Sequence, residues 1–179
     1  MTLLLISTCQ ERLSEREFVN PISTILSSTE HEILHYSKCT NDIIKSFDKI
    51  IICGTSLKDN EYVKNMNIFK KLFHDFNGSL LGICSGMHII GSIFGGKLIQ
   101  KLEIGMTESE TLEKNEICSG NFEAYNIHTN SVNNLENFII IAKNKSNVQI
   151  IKHKTKSIFG ISFHPEVRNE KILYNFLKI

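Results

Sequence analysis

Three short runs of this chain, Leu3–Ser7, residues 49–53 and residues 79–84, are apolar at nearly every position. A strand with one wet face alternates apolar and polar side chains, whereas a continuously apolar run of four to eight residues fits a strand covered on both faces. Such strands require helices above and below the sheet, and the intervening segments carry helical spacing. Leu13, Phe18, Ile22, Ile25 and Leu26 recur at helical intervals in residues 11–28, with Pro21 starting a turn or a fresh helix. Val63, Met66, Phe69, Leu72, Phe73 and Phe76 do the same in residues 61–76, before a terminating Asn77-Gly78. Residues 31–36 read as a further strand and 41–46 as a short helix. The pattern predicts an α/β fold with a mainly parallel sheet and ligands at the carboxyl ends of its strands.

After Gly95-Gly96 the character changes. Phe138–Lys143, residues 149–152 and residues 158–163 are β-rich and separated by Asn, Lys and Ser, so antiparallel strands are expected to flank the parallel core. Lys171–Leu177 reads as a closing helix. A length of 179 residues without repeat, low-complexity segment or linker leads us to expect one domain over residues 1–179.

Charge and cysteine usage narrow the function. Twenty Lys+Arg against 19 Asp+Glu give a formal charge of +1, which supplies no field for nucleic acid or an anionic membrane. No apolar run reaches the ~18 residues of a membrane span, and residues 2–7 lack the basic start and cleavage site of a secretion signal. The five cysteines, Cys9, Cys39, Cys53, Cys84 and Cys118, have no CxxC spacing, which disfavours a disulfide framework and a zinc site. The expectation is a cytoplasmic protein with neither metal nor cofactor.

One cysteine stands apart. Gly82-Ile83-Cys84-Ser85-Gly86 places Cys84 between a buried strand and a helix, with glycine two positions to either side. A nucleophile elbow needs this pattern, because the turn brings neighbouring backbones too close for a Cβ. The helix starting at Ser85 would aim its amino-terminal N–H groups at the sulfur, favouring the thiolate and offering oxyanion donors. Alone, the motif is equally compatible with a small buried thiol at a tight strand–helix junction. A second segment bears on the choice: Gly160-Ile161-Ser162-Phe163-His164-Pro165-Glu166-Val167 ends a strand with a histidine and a carboxylate two positions on. A thiol nucleophile needs such a base, and the base needs an acceptor to orient it. Taken by itself, the segment also reads as a solvated His and Glu closing a strand.

The two motifs in this order resemble the class I glutamine amidotransferase family, and the likeness extends over essentially the whole chain. Phe94-Gly95-Gly96-Lys97 resembles the glycine turn after the family's nucleophile helix, and Ile127-His128-Thr129-Asn130-Ser131-Val132 its His-containing loop before the last strands. Within the family, the His-Pro-Glu-Val segment with residues 172–177 is most similar to free-standing glutaminase subunits of GMP synthetases. The resemblance implies a flavodoxin-like three-layer fold and a Cys-His-Glu triad. In that triad Cys84 attacks the glutamine side-chain amide, His164 relays the proton and Glu166 orients His164. It further implies Gly54 and Ser85 as oxyanion donors through their backbone N–H groups, His88 and His128 as substrate-side residues, and a separate ATP-dependent synthetase as partner.

The chain departs from the family at several positions. His88 stands where a Gln is usual, Ser162 replaces another Gln, and a run of three glycines and a proline is reduced to Cys53-Gly54-Thr55-Ser56. Ser7-Thr8-Cys9-Gln10 occupies the place of an Asp-Asn-Gly-Gly-like turn. Residues 57–62 read as a partner contact or as a helix cap made by Asp59 or Asn60. Two further readings stay open at this point: a stand-alone hydrolase of γ-glutamyl compounds, and a regulatory subunit without efficient chemistry.

Overall fold

The computed structural model describes residues 2–179. In chain order the strands are β1 (Leu3–Ser7), β2 (His31–His35), β3 (Lys49–Ile52), β4 (Ser79–Ile83), β5 (Lys97–Thr111), β6 (Asn121–Asn133), β7 (Phe138–Lys143), β8 (Val148–His153) and β9 (Ile158–Ile161). The helices are α1 (Arg12–Phe18), α2 (Asn20–Ile25), α3 (Asn41–Lys45), α4 (Glu61–Lys64), α5 (Met66–Phe73), α6 (Ser85–Ile93) and α7 (Lys171–Leu177).

Consecutive side chains of a strand point to opposite faces, so an unbroken apolar strand feeds two cores. Leu3 and Leu5 enter a cluster with Phe18, Ile22, Leu173 and Phe176, from α1, α2 and α7. Leu4 and Ile6 enter the opposite cluster with Ile44, Phe69, Phe73 and Ile90, from α3, α5 and α6. Each fully buried Leu, Ile or Phe in these layers contributes about 1.5–3 kcal/mol by leaving water.

The sheet order among the described residues is β2-β1-β3-β4-β9-β8-β7-β5-β6. The first five strands pair in parallel, in the 2-1-3-4-5 order of flavodoxin-like sheets, with β9 serving as the fifth. The remaining pairings are antiparallel and lie on one side of the parallel block. The predicted three-layer α/β architecture with antiparallel strands beside the core is therefore present.

Local differences have identifiable causes. The helix expected over residues 61–76 breaks at Asn65, whose side-chain amide takes the Glu61 carbonyl at 2.9 Å while its own N–H turns to Tyr62 at 3.2 Å. Residues 11–28 split at Val19, just before Pro21. The largest difference is the β5–β6 hairpin. Residues 127–132, expected as a loop, lie inside β6 and pair with β5. Neither Asp59 nor Asn60 caps α4 through its side chain. Asp59 Oδ2 instead accepts from Thr55 Oγ1 at 2.6 Å and from the Gln10 N–H at 3.1 Å, tying the segment after β3 to the exit of β1.

Candidate active site

β4 and α6 meet at Cys84, whose φ of 51° and ψ of −106° lie where non-glycine residues are seldom found. The neighbouring glycines make this turn feasible: a Cβ on Gly82 would sit 2.3 Å from the Gly86 carbonyl oxygen, and one on Gly86 2.3 Å from that of Ile52. The Cys84 N–H donates to Ile161 at 2.7 Å, and the Cys84 carbonyl receives the His88 N–H at 3.1 Å. The sulfur is thereby held at the head of α6, 3.7 Å from the Ile127 carbonyl oxygen.

β9 is the parallel neighbour of β4, so the chain leaving it returns to the same sheet edge. There the His164 N–H donates to the Tyr125 carbonyl of β6 at 2.9 Å, and His164 Nδ1 lies 2.7 Å from Glu166 Oε1, both side chains being 1% exposed. A carboxylate only accepts, so the imidazole carries its proton on Nδ1, and Nε2, also buried, is left for the Cys84 sulfur. Burial presses the imidazole pKa down, but the Cys84 sulfur and the Glu166 carboxylate outweigh it and raise His164 from 6.5 to about 10. Gly54 closes the group: a Cβ there would lie 2.8 Å from His164 Cε1 and 3.3 Å from Cys84 Cβ. The structure thus brings Cys84, His164, Glu166, Gly54 and Ser85 together.

His88 and His128 lie on the same small cavity, whose lining includes Cys84, Tyr62 and Asn130. Asn130 Nδ2 donates to Tyr62 Oη at 3.0 Å, so the phenol proton goes to His88 Nδ1, 2.9 Å away. This pattern assigns the His88 proton to Nε2, which is buried without a partner. Burial first, and the neighbouring His128 second, lower the His88 pKa to about 3, keeping the ring neutral. The His128 ring meets His88 edge-on at 5.9 Å, and its Nε2 lies 3.3 Å from Glu103 Oε2.

Glu103 belongs to none of the sequence motifs. It is the register partner of His128 across the hairpin and accepts from Asn144 (2.6 Å), Asn147 (2.8 Å) and Gln149 (3.1 Å). Burial disfavours its charge, yet the contacts of His128, Asn147 and Asn144 hold its pKa at about 2. Asn130 lies in the His-containing segment and Tyr62 in residues 57–62, but their contacts with each other and with His88 join segments distant in sequence and leave no local signal. No group of three or more potential metal ligands occurs among the described residues, and none of their helices is long and apolar enough to cross a membrane. A larger open depression of about 690 Å³, lined by Glu108, Glu110, Glu123 and Lys143 among others, contains none of the candidate residues.

A family model described as glutamine amidotransferase class-I matches residues 19–178. The chain belongs to that family. Among relatives of this amidotransferase chain is the glutamine-hydrolyzing GMP synthase subunit of Pyrococcus abyssi, 36% identical over 118 residues, a match spanning 60% of this chain and 63% of that protein. The corresponding subunit of Methanosphaera stadtmanae is 32% identical over 137 residues, covering 70% and 74% of the two chains. In fold, the chain is similar to a crystal structure from Thermoplasma acidophilum described as a GMP synthase subunit. That match has a TM-score of 0.88 at 20% identity and covers 99% of this chain and 92% of the other. A glutamine amidotransferase of Thermotoga maritima aligns with a TM-score of 0.70 at 14% identity, over 99% and 81%.

Proposed function

We propose that this chain is a single glutaminase domain that hydrolyses glutamine through a γ-glutamyl thioester on Cys84. The observation that carries the proposal is the buried His164–Glu166 pair beside a cysteine held at a strained strand–helix junction. His164, with its pKa raised to about 10, stands beside the sulfur as the group that takes and returns its proton, and the thiolate is the attacking species.

The sulfur attacks the side-chain amide carbon and the carbonyl electrons move onto oxygen, where the N–H groups of Gly54 and Ser85 receive the charge. His164 then passes its proton to the leaving nitrogen and ammonia departs. A water gives a proton to His164 and attacks the thioester, releasing glutamate and restoring the thiolate. Glu166 keeps its 2.7 Å contact with His164 Nδ1, orienting the ring and compensating the imidazolium. His88, neutral with its donor on Nε2, and His128 act on the substrate side. The cavity has a volume of about 10 Å³, the space of a single water, so glutamine enters when the Asn130 bridges to Tyr62 and Asn60 (3.0 and 3.2 Å) part.

The kinship with the glutamine-hydrolyzing subunits of GMP synthases supports a division of labour in which the ammonia goes to a separate ATP-dependent synthetase making GMP. A second reading, hydrolysis of other γ-glutamyl compounds by the chain alone, is favoured by His88 in the substrate cavity. Steady-state glutaminase assays with and without co-purifying partners separate the two. Glutamine turnover stimulated by an ATP-dependent synthetase supports the first, and fast turnover of γ-glutamyl amines without stimulation supports the second.

A further inference from the structure

At the exit of β1, outside the groups that act on substrate, Thr8 Oγ1 lies 2.9 Å from Ser85 Oγ. Each of these hydroxyls is also 3.2 Å from the carbonyl oxygen of Cys53. Both side chains are buried, at 1% exposure. Three oxygens thus form a triangle served by two protons. Either both hydroxyls donate to the carbonyl, or one donates to it and the other bridges the hydroxyls, so the Cys53 carbonyl always receives at least one.

The carbonyl belongs to the peptide that carries the Gly54 N–H. In a planar trans peptide the C=O and N–H point in opposite directions, so holding one sets the other. There is no cis peptide among the described residues, and Gly54-Thr55-Ser56 contains no proline to stiffen the loop from within. We propose that Thr8 and the Ser85 hydroxyl are positioning residues that clamp the Cys53 carbonyl and thereby aim the Gly54 N–H at the oxyanion. The inference rests on the reading of Cys84 as nucleophile and Gly54 as oxyanion donor. It adds a role for the first strand's exit and for the Ser85 side chain, distinct from the Ser85 N–H.

Redundancy is the signature, because either hydroxyl alone keeps a proton on the carbonyl. Thr8→Val and Ser85→Ala each lower kcat for glutamine by no more than about fivefold, whereas the double variant loses about 100-fold, the order reached when an oxyanion donor is removed. KM moves by less than about threefold in all three, since the clamp acts on the transition state. Alkylation of Cys84 by iodoacetamide, which develops no oxyanion, keeps its wild-type rate and reports that fold and thiolate are intact. Thr8→Ser combined with Ser85→Ala returns kcat to the single-variant level.

A double variant with wild-type kcat, single losses that simply multiply, or a kcat that falls in step with alkylation would overturn the clamp. If the double variant does not fold, Thr8→Val with Ser85→Cys keeps a weak donor at the second corner. An intermediate kcat is expected there, and an undiminished one counts against the proposal. Cys84→Ala in the same assays separates the two levels. Glutamine hydrolysis surviving in it removes the nucleophile reading and the clamp together, while full activity of the double variant beside an inactive Cys84→Ala removes the clamp alone.

Discussion

The parallel and antiparallel halves of the sheet contribute to the candidate site in different ways. β3, β4 and β9 end side by side and deliver Gly54, Cys84 and the His164–Glu166 segment from buried, apolar strands. The β5–β6 hairpin instead supplies a wall, with His128 and Asn130 facing the cavity and Glu103 locked behind them. The polarity of β5 is inverted there: Leu102, Ile104 and Met106 are exposed, while Glu103 and Thr107 point inward and both accept from Asn144, Thr107 also accepting from Asn126 of β6. The chemistry is therefore placed by strands that the hydrophobic effect fixes in register. The substrate wall is placed by polar contacts whose strength depends on every partner being present.

This contrast orders the expected effects of mutation. In the parallel half, Glu166→Gln should cost about 10²- to 10⁴-fold in kcat, as when a triad carboxylate is lost, with little change in KM. Its pH profile should change as well. With the carboxylate charge gone, the His164 pKa falls below about 10 and the alkaline limb of kcat/KM shifts to lower pH. Stability follows the same group. A folded pKa of about 10 against 6.5 for the free side chain means that the His164 contribution is complete below pH 6.5 and disappears as pH rises through about 10. His164→Gln should accordingly flatten that part of the stability curve in denaturant titrations.

Gly54→Ala comes next. A Cβ 2.8 Å from His164 Cε1 must displace the imidazole or the loop, and we expect about a 10- to 100-fold loss of kcat with a normal unfolding midpoint. In the antiparallel half the balance reverses. Glu103→Gln leaves three amide donors and His128 facing a weaker acceptor, so a loss of about 1–3 kcal/mol in urea unfolding is expected, with KM rising more than kcat falls. Should kcat fall in Glu103→Gln as far as in Glu166→Gln, the separation of the two halves would be broken. The smallest effect is expected for His88→Gln, a change of about tenfold or less in KM, which would show how finely the wall is tuned to glutamine.

The two halves were also unequally legible in the sequence. Leu3–Ser7 and the strands now seen as β3 and β4 announce themselves by continuous apolarity, and the elbow by glycines that two backbones cannot do without. The His164–Glu166 contact spans two residues, so spacing alone suggested it. The hairpin does not read as two long strands in the sequence, because in β5 Leu102, Ile104 and Met106 lie on the exposed face while inward positions carry Glu103, Thr107 and Ser109. Contacts between segments dozens of residues apart leave no local pattern. Thr8 with Ser85, Tyr62 with His88 and Glu103 with Asn147 are of that kind. The break at Asn65 was likewise hidden, since an asparagine in mid-helix can point to solvent or take a backbone carbonyl, and only the fold decides.

The central claim is that Cys84 alone among the five cysteines is an activated nucleophile, lining a small cavity that opens to admit glutamine. Treating the protein with a diazoketone analogue of glutamine and mapping the modified residue by peptide mass spectrometry tests it directly. The account predicts labelling confined to Cys84, slowed by excess glutamine and lost in His164→Asn. Labelling spread over the other cysteines, or a rate at Cys84 indifferent to both glutamine and His164, would contradict it.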